Sequence, residues 1–504
     1  MADSDWMLAF DIGSTRLKAG LFDVEGKISR IAARPLPMQM VNETRWVDPD
    51  QLVGSVSSLL KEILNELDPN CVRGIGICSM AESGLLINTR NQTPTTWMIP
   101  WFDRSDESQV KLIREKSHEE EVFSWSGIRA TYKCPLARIL WLQKEESISL
   151  ENKIWLSAAD FLAFTLTGQT ATDYSLATRT LAYDINQKRW HQSWLQNWGM
   201  KESLFPAVIP AGKPVGVTKA SCLQSMGLPA GIPVSIAGHD HVCAAAALSA
   251  LSTDSLVDSM GTAETLVGAL PDRPLGKREY LSGLSYGVHV LPGLKYGMGA
   301  LSTSGGALEW MRAIFAPQMT YDEIEKAVMT LPAQPGELVF IPYLSGSGAP
   351  HSNPSAAGAW IGLKSEHTRA HMIKAVMEGA VCEMEFVRRT IVTSGLLSSE
   401  RIIVTGGGAL NRSWLKIKAD VTGCVLSVSP SSEAALIGAA MAAGIACNLF
   451  DDFQSAAKTL SPIGGEMIQP DKVSSPEYHD YYEQRYLPAM QLIQQYPATT
   501  LKRE

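Results

Sequence analysis

Basic runs are missing from this sequence. Its 504 residues carry a net charge of −8 with no cluster of Lys or Arg, which argues against nucleic acid or an anionic membrane as the main partner. Long apolar runs are missing as well: no uncharged stretch approaches the ~20 apolar residues of a membrane span. The longest candidate, residues 434–450, is rich in Ala and Gly and reads as a tightly packed buried helix. The opening residues 1–6 are too short and too acidic for a secretion signal. Cysteine is scattered over Cys71, Cys78, Cys134, Cys222, Cys243, Cys382, Cys424 and Cys447, with no CxxC pair and no neighbouring His cluster. That spacing argues against zinc. Free thiols in a reducing cytoplasm are the expectation.

What the sequence does have is an ordinary globular composition, 45% hydrophobic and 19% charged. It is also too long for one core, since single cores stop growing near ~250–300 residues. Residues 7–10 and 17–23 are apolar and flank the polar turn Asp11-Ile-Gly13-Ser14-Thr15, a β-hairpin pattern. Residues 51–67 carry helical periodicity, residues 72–78 read as a buried strand and 85–88 as its return strand. The same grammar recurs later. Residues 254–261 and 262–270 resemble a second hairpin with a Gly-Thr turn. The strand Arg401–Thr405 leads through three glycines into a helix over 411–421, then a strand over 425–428 and a helix over 433–446. Two hairpin-plus-helix halves predict a duplicated α/β fold with a cleft. The break falls near residues 248–253, giving domains 1–250 and 251–504. In the tail, Tyr478, Tyr481, Tyr482 and Tyr486 fall at helical spacing, which reads as core packing.

Four segments carry candidate chemistry. In the first turn, Gly13 permits a close backbone approach, while N–H groups and the hydroxyls of Ser14 and Thr15 suit phosphate oxygens. Lys18 adds a positive charge, and Asp11 at the strand end suits Mg²⁺ held through water. Taken alone, this turn is also ordinary hairpin chemistry. Ser259-Met260-Gly261-Thr262 offers a second Gly-plus-hydroxyl turn. Thr405-Gly406-Gly407-Gly408-Ala409-Leu410-Asn411 places three glycines between strand and helix, where a flat ring or a phosphate can approach the backbone. In Gly238-His239-Asp240-His241, Asp240 falls at a helix start. Its structural role there is an N-cap and its chemical role a general base. Neighbours along a strand point to opposite faces, so the two His and the Asp are not expected to share one ion.

Together these segments resemble the FGGY family of carbohydrate kinases, almost from end to end. One family signature is matched by Gly358-Ala359-Trp360-Ile361-Gly362-Leu363 and, seven residues on, His371-Met372 and Ala375-Val376-Met377-Glu378. A second is matched by Lys133-Cys134-Pro135-Leu136-Ala137-Arg138-Ile139-Leu140-Trp141-Leu142, with Arg138 where the family usually has Lys. The resemblance implies two actin-like ATPase (ribonuclease H-like) α/β domains with an intervening cleft. By position, Asp11 and Asp240 are the implied metal side, and Asp240 is the catalytic base. Ser14, Thr15 and Lys18 match the first phosphate loop, and Gly261 and Thr262 the second. Gly305 and Glu309 lie near the nucleotide, and Gly407, Gly408 and Asn411 form the adenosine turn. Glu82, Trp101, Asp103 and His241 are the implied substrate side. Xylulokinase-like members carry Met-His at the first of these places and glycerol-kinase-like members Arg-Glu; here Glu82 keeps the glutamate and Ala81 replaces the arginine. In the segment Pro342–Pro350, Ser347-Gly348 stands where the family commonly has Glu-Arg.

The expected activity is ATP- and Mg²⁺-dependent phosphorylation of a primary hydroxyl on a small sugar or polyol. ATP binds mainly to the C-terminal half and the sugar to the N-terminal half. The expected partners are that small substrate, no nucleic acid and no membrane, with a homodimer allowed. Two other readings stay open from sequence: an actin- or chaperone-like ATPase of the same fold, and a catalytically inactive sugar-binding relative.

Overall fold

The computed structural model describes residues 5–41, 44–249, 254–395, 400–462 and 464–495. Two mixed sheets organise them, and the two share one plan. In the first, the strands Trp6–Ile12, Arg16–Asp23 and Ile28–Pro35 run antiparallel in succession. On its other side Trp6–Ile12 pairs in parallel with Val72–Ser79, which pairs in parallel with Pro233–His239. An antiparallel edge strand, Pro214–Val217, completes six strands.

The second sheet repeats this. Leu256–Met260, Glu264–Pro271 and Leu294–Leu301 are antiparallel, and Arg401–Thr405 and Val425–Val428 follow in parallel beside Leu256–Met260. An antiparallel edge strand, Met467–Ile468, again closes that side, and Ser285–Val288 extends the other. The duplication expected from the hairpin grammar is therefore present over six strands of each sheet, with Ser285–Val288 an addition to the second. The break expected at residues 250/251 lies outside the described residues.

The return strand expected at residues 85–88 pairs elsewhere. Both edges of Val72–Ser79 are already taken by Trp6–Ile12 and Pro233–His239. Gly84–Asn88 instead joins Thr93–Pro94 and Lys153–Ser157 in a separate sheet. The helix expected over 51–67 spans Pro49–Ile63, started by the Asp48 carboxylate, which accepts from the N–H groups of Asp50 and Gln51.

The Ala-rich segment forms the helix Ala434–Ala446, which is buried as expected but lies on the N-terminal sheet. Its backbone comes so near that a Cβ on Gly76 would stand 1.9 Å from the Ala439 carbonyl oxygen, and one on Gly74 2.5 Å from that of Ala443. The helix Asp240–Ser249 packs beside it. Small residues on three elements thus let the two halves of the chain meet along a dry seam. The tail tyrosines are buried, as their spacing predicts: Tyr478 donates to Glu378 (2.8 Å) and Tyr486 to Glu383 (2.7 Å).

Candidate active site

The parallel strands Trp6–Ile12, Val72–Ser79 and Pro233–His239 finish on the same side of their sheet, the side where α/β folds bind ligands. Asp11 lies near the end of the first, Glu82 just beyond the second, and Asp240 directly after the third as the first residue of a helix. The Asp240 carboxylate accepts from the N–H of His241 at 2.7 Å, and His239 Nε2 lies 3.3 Å from the same oxygen. Burial pushes the Asp240 carboxyl up to about 7, with the charge of Glu82 adding to the shift and the His241 N–H opposing it. Asp11 is also raised to about 7, by burial and then by the charge of Asp240, against the pull of Lys18. A partly buried carboxylate whose proton affinity is raised by the charge of a second one marks a place where a cation is favoured.

His239, Asp240 and His241 bring one ligand-type atom each to within 4.8 Å of one another. The strand-alternation argument against this fails because the chain leaves its strand at His239 and enters a helix at Asp240. Burial holds His239 well below the usual imidazole range and lowers His241 to about 4, so both rings are neutral. The His241 ring reaches across to the second sheet, with Nε2 3.4 Å from the Thr265 hydroxyl.

Beyond the strand Val72–Ser79, the Glu82 backbone is left-handed, with φ 63°. Such a conformation in a non-glycine residue persists only when its surroundings hold it, and two arginines do so. Arg138 donates to the carbonyls of Glu82 (2.9 Å) and Tyr132 (3.0 Å), with that of Asp103 at 3.5 Å. Arg179 donates to Glu82 Oε1 from Nε (2.8 Å) and Nη2 (2.5 Å). Glu82 is therefore a buried, paired carboxylate and not a solvated turn residue. Asp103 is likewise buried: it accepts from the Trp46 indole at 2.9 Å and from the Ser105 N–H, and makes no ion pair with Arg104. Trp101 is half-buried beneath the Lys133 ammonium, which sits 4.8 Å from its ring centroid.

On the second sheet, Gly261, Thr262, Gly305, Glu309, Gly407, Gly408 and Asn411 all line one cavity of about 970 Å³. The N–H groups of Gly305 and Gly306 donate to the carbonyls of Gly261 and Thr262 at 3.0 Å, which docks the Gly-Thr turn on the start of the helix Gly305–Phe315. The Asn411 side chain caps the helix Arg412–Thr422 by accepting from the Trp414 N–H. A Cβ on Gly407 would meet nothing within 4 Å, so its open face belongs to the cavity.

Ser14, Thr15 and Lys18 do not line this cavity. They sit at the first hairpin, where the Lys18 ammonium pairs with Glu433 at 2.7 Å and so ties the hairpin to the C-terminal half. Ser347 and Gly348 form a neutral turn, in which the Ser347 hydroxyl donates to the His351 carbonyl at 2.6 Å. Several residues escaped sequence reasoning. Trp310, stacked against Trp360 with 5.5 Å between centroids, and Tyr321 give the cavity its apolar and aromatic wall. Beneath the Gly-Thr turn, buried Lys418 pairs with both Asp258 and Glu264, and Ser304 donates to Glu264. The sequence signal for that trio was a charged residue at each of three apolar-looking positions.

Comparison with known proteins agrees with this geometry. The xylulose kinase of Lactococcus lactis subsp. lactis (strain IL1403) is 25% identical over 486 residues, 95% of each chain. The solved structure of ligand-bound xylulose kinase from Lactobacillus acidophilus superposes with a TM-score of 0.89 at 18% identity, covering 98% of this chain and 99% of that one. A gluconate kinase from the same organism gives 0.87 at 18% identity, covering 97% and 98%. Residues 6–247 match the N-terminal domain of a single family and residues 257–447 its C-terminal domain. The chain belongs to the FGGY family of carbohydrate kinases.

Proposed function

We propose that this carbohydrate kinase moves the γ-phosphoryl group of ATP onto a primary hydroxyl of a small sugar or sugar-derived acceptor, with Asp240 as general base. One observation carries the reading. Seven residues singled out for nucleotide contact line one cavity, while Asp11, Glu82 and Asp240 gather at the strand ends of the other sheet. Asp240 takes the hydroxyl proton as that oxygen attacks phosphorus, and a carboxyl raised to about 7 is a well-matched base near neutral pH. Its oxygen is aimed by the His241 N–H. The second oxygen of Glu82, not engaged by Arg179, is available to accept from acceptor hydroxyls. The N–H groups of the Gly-Thr turn and the glycine turn are the donors for phosphate oxygens. Closure of the cleft would exclude water from the transfer.

Mg²⁺ fits the carboxylates of Asp11 and Asp240: hard oxygen ligands suit it, and the charge of Asp240 already acts on Asp11. Bound there with ATP, it would neutralise charge on the phosphates. The neutral imidazoles of His239 and His241 are not the donors Mg²⁺ prefers.

The test is ADP release by purified protein with ATP and Mg²⁺, in the presence and absence of a library of ketoses, polyols and sugar acids. Acceptor-dependent ADP release is expected. ADP release that ignores every acceptor would instead support an ATPase of the same fold. Among the described residues no helix is long and apolar enough to cross a membrane. A cytoplasmic location is part of the proposal. A homodimer is part of the proposal, checked by light scattering.

A further inference from the structure

Between the two halves, distinct from the nucleotide cavity, lies a second cavity of about 160 Å³. Its walls carry Arg104, Arg129, Lys133 and Arg179 from the N-terminal half, with Ser302 and Ser347 opposite, and no Asp or Glu. The four cations differ in what already occupies them. Arg129 is engaged by Glu119 at 3.1 Å and lies over the rings of Phe123 and Tyr280. Arg104 is 3.7 Å from Glu107 and lies over the Tyr132 ring. Arg179 is held by Glu82, yet its Nη1 is buried with no hydrogen-bond partner among the described residues. Lys133 has no carboxylate partner among the described residues, and its ammonium rests only on the face of Trp101.

We propose that the acceptor is a sugar acid, a polyhydroxy carboxylate, whose carboxylate is bound by Lys133 together with Arg179. This rests on the kinase reading and names the substrate class of that same site. A cavity with positive walls and no acidic lining concentrates anions. Hydroxyl oxygens of a neutral polyol could accept from both groups but bring no charge, whereas a carboxylate accepts from both and neutralises them, which makes those bonds shorter and stronger. Arg179 joins this cavity to the reacting end: it donates to Glu82, which lies just beyond the strand Val72–Ser79, and Asp240 follows directly on the neighbouring parallel strand Pro233–His239. The carboxylate end and the hydroxyl end of one small molecule are thereby given opposite partners: cations at one, a general base at the other.

The experiment compares matched acceptors that differ only in one group: pentonates and hexonates against the alditols of the same configuration, with ATP saturating. The wild-type protein is expected to prefer the aldonates by ~10–100-fold in kcat/KM, the worth of one or two charge-assisted hydrogen bonds. Lys133→Met should collapse that ratio, and Lys133→Arg should keep most of it. Equal or better turnover of alditols and ketoses would overturn the proposal while leaving the kinase reading intact. So would a Lys133→Met variant that keeps the aldonate preference, or one whose defect appears in KM for ATP. If Lys133→Met fails to fold, the wild-type ratio and Lys133→Arg decide the question. No acceptor-dependent ADP release from any compound would instead sink the kinase reading itself.

Discussion

Replacing Glu82 with Ala removes the carboxylate that receives two bonds from Arg179, at 2.8 and 2.5 Å, between side chains only 9% and 10% exposed. The guanidinium left behind cannot lose its charge and has little access to water. Breaking a buried pair from one side costs about 3–5 kcal/mol. A second loss is kinetic. If the free Glu82 oxygen accepts from acceptor hydroxyls, each charge-assisted bond is worth about 1.5–3 kcal/mol, more than tenfold in kcat/KM with the acceptor varied and ATP fixed. The perturbation therefore has two readouts, and the double variant Glu82→Ala/Arg179→Met separates them. Removing both charges should restore part of the stability, since a matched apolar replacement of a buried pair is often tolerated, but should not restore acceptor turnover. Denaturant midpoints followed by Trp fluorescence and steady-state kinetics suffice. A Glu82→Ala protein with a wild-type midpoint would refute the desolvation argument. A double variant with wild-type acceptor kinetics would reduce Glu82 to a holder of Arg179.

Asp240→Asn should lower kcat by ~10²–10⁴-fold, the usual worth of a general base, while calorimetry still detects ATP. Gly407→Val should fold normally, because the new side chain meets open space, and should raise KM for ATP without altering KM for the acceptor. The base must be ionised to act, and burial raises Asp240 to about 7, so kcat/KM for the acceptor should fall as pH drops below ~7. Raising the Mg²⁺ concentration favours the ionised carboxylates and should move that limb to lower pH; a limb that stays fixed would remove Asp11 and Asp240 from the metal site.

Local features of this fold were legible because they are written in adjacent residues. Both hairpins, the three glycine turns and the burial of the tail tyrosines follow from period, punctuation and apolar spacing. The partners of charged residues were not, because they arrive from far along the chain. Arg179 is 97 residues from Glu82, Lys418 is 160 from Asp258, and Glu433 is 415 from Lys18. Sequence pattern reports which way a side chain faces, not what waits there. Lys18 therefore read as a phosphate-side residue, with no sign of the Glu433 that pairs with it across the two halves of the chain. The His-Asp-His reading failed for a different reason. Alternation holds within a strand, and the chain changes from strand to helix between His239 and Asp240.

The two faces of the cleft are built by one device used twice. Under the nucleotide turn, a buried lysine, Lys418, is shared by Asp258 and Glu264, the residues that flank Gly261 and Thr262. Under the acceptor loops, a buried arginine, Arg138, gathers the carbonyls of Glu82, Tyr132 and Asp103. Each cation fixes loop backbone from behind, so the ligand-facing groups need not be ordered when substrate arrives, and preorganisation of this kind lowers the entropy lost on binding. The choice of cation follows from what must be held. Two carboxylates converge on a point charge, which an ammonium supplies. Three carbonyls spread over separate loops need the planar, multidentate guanidinium. That is a physical reason for Arg at position 138 where the family usually has Lys, and it places the departure in the loops that carry Lys133 and Glu82. The seven residues proposed for nucleotide contact share one cavity.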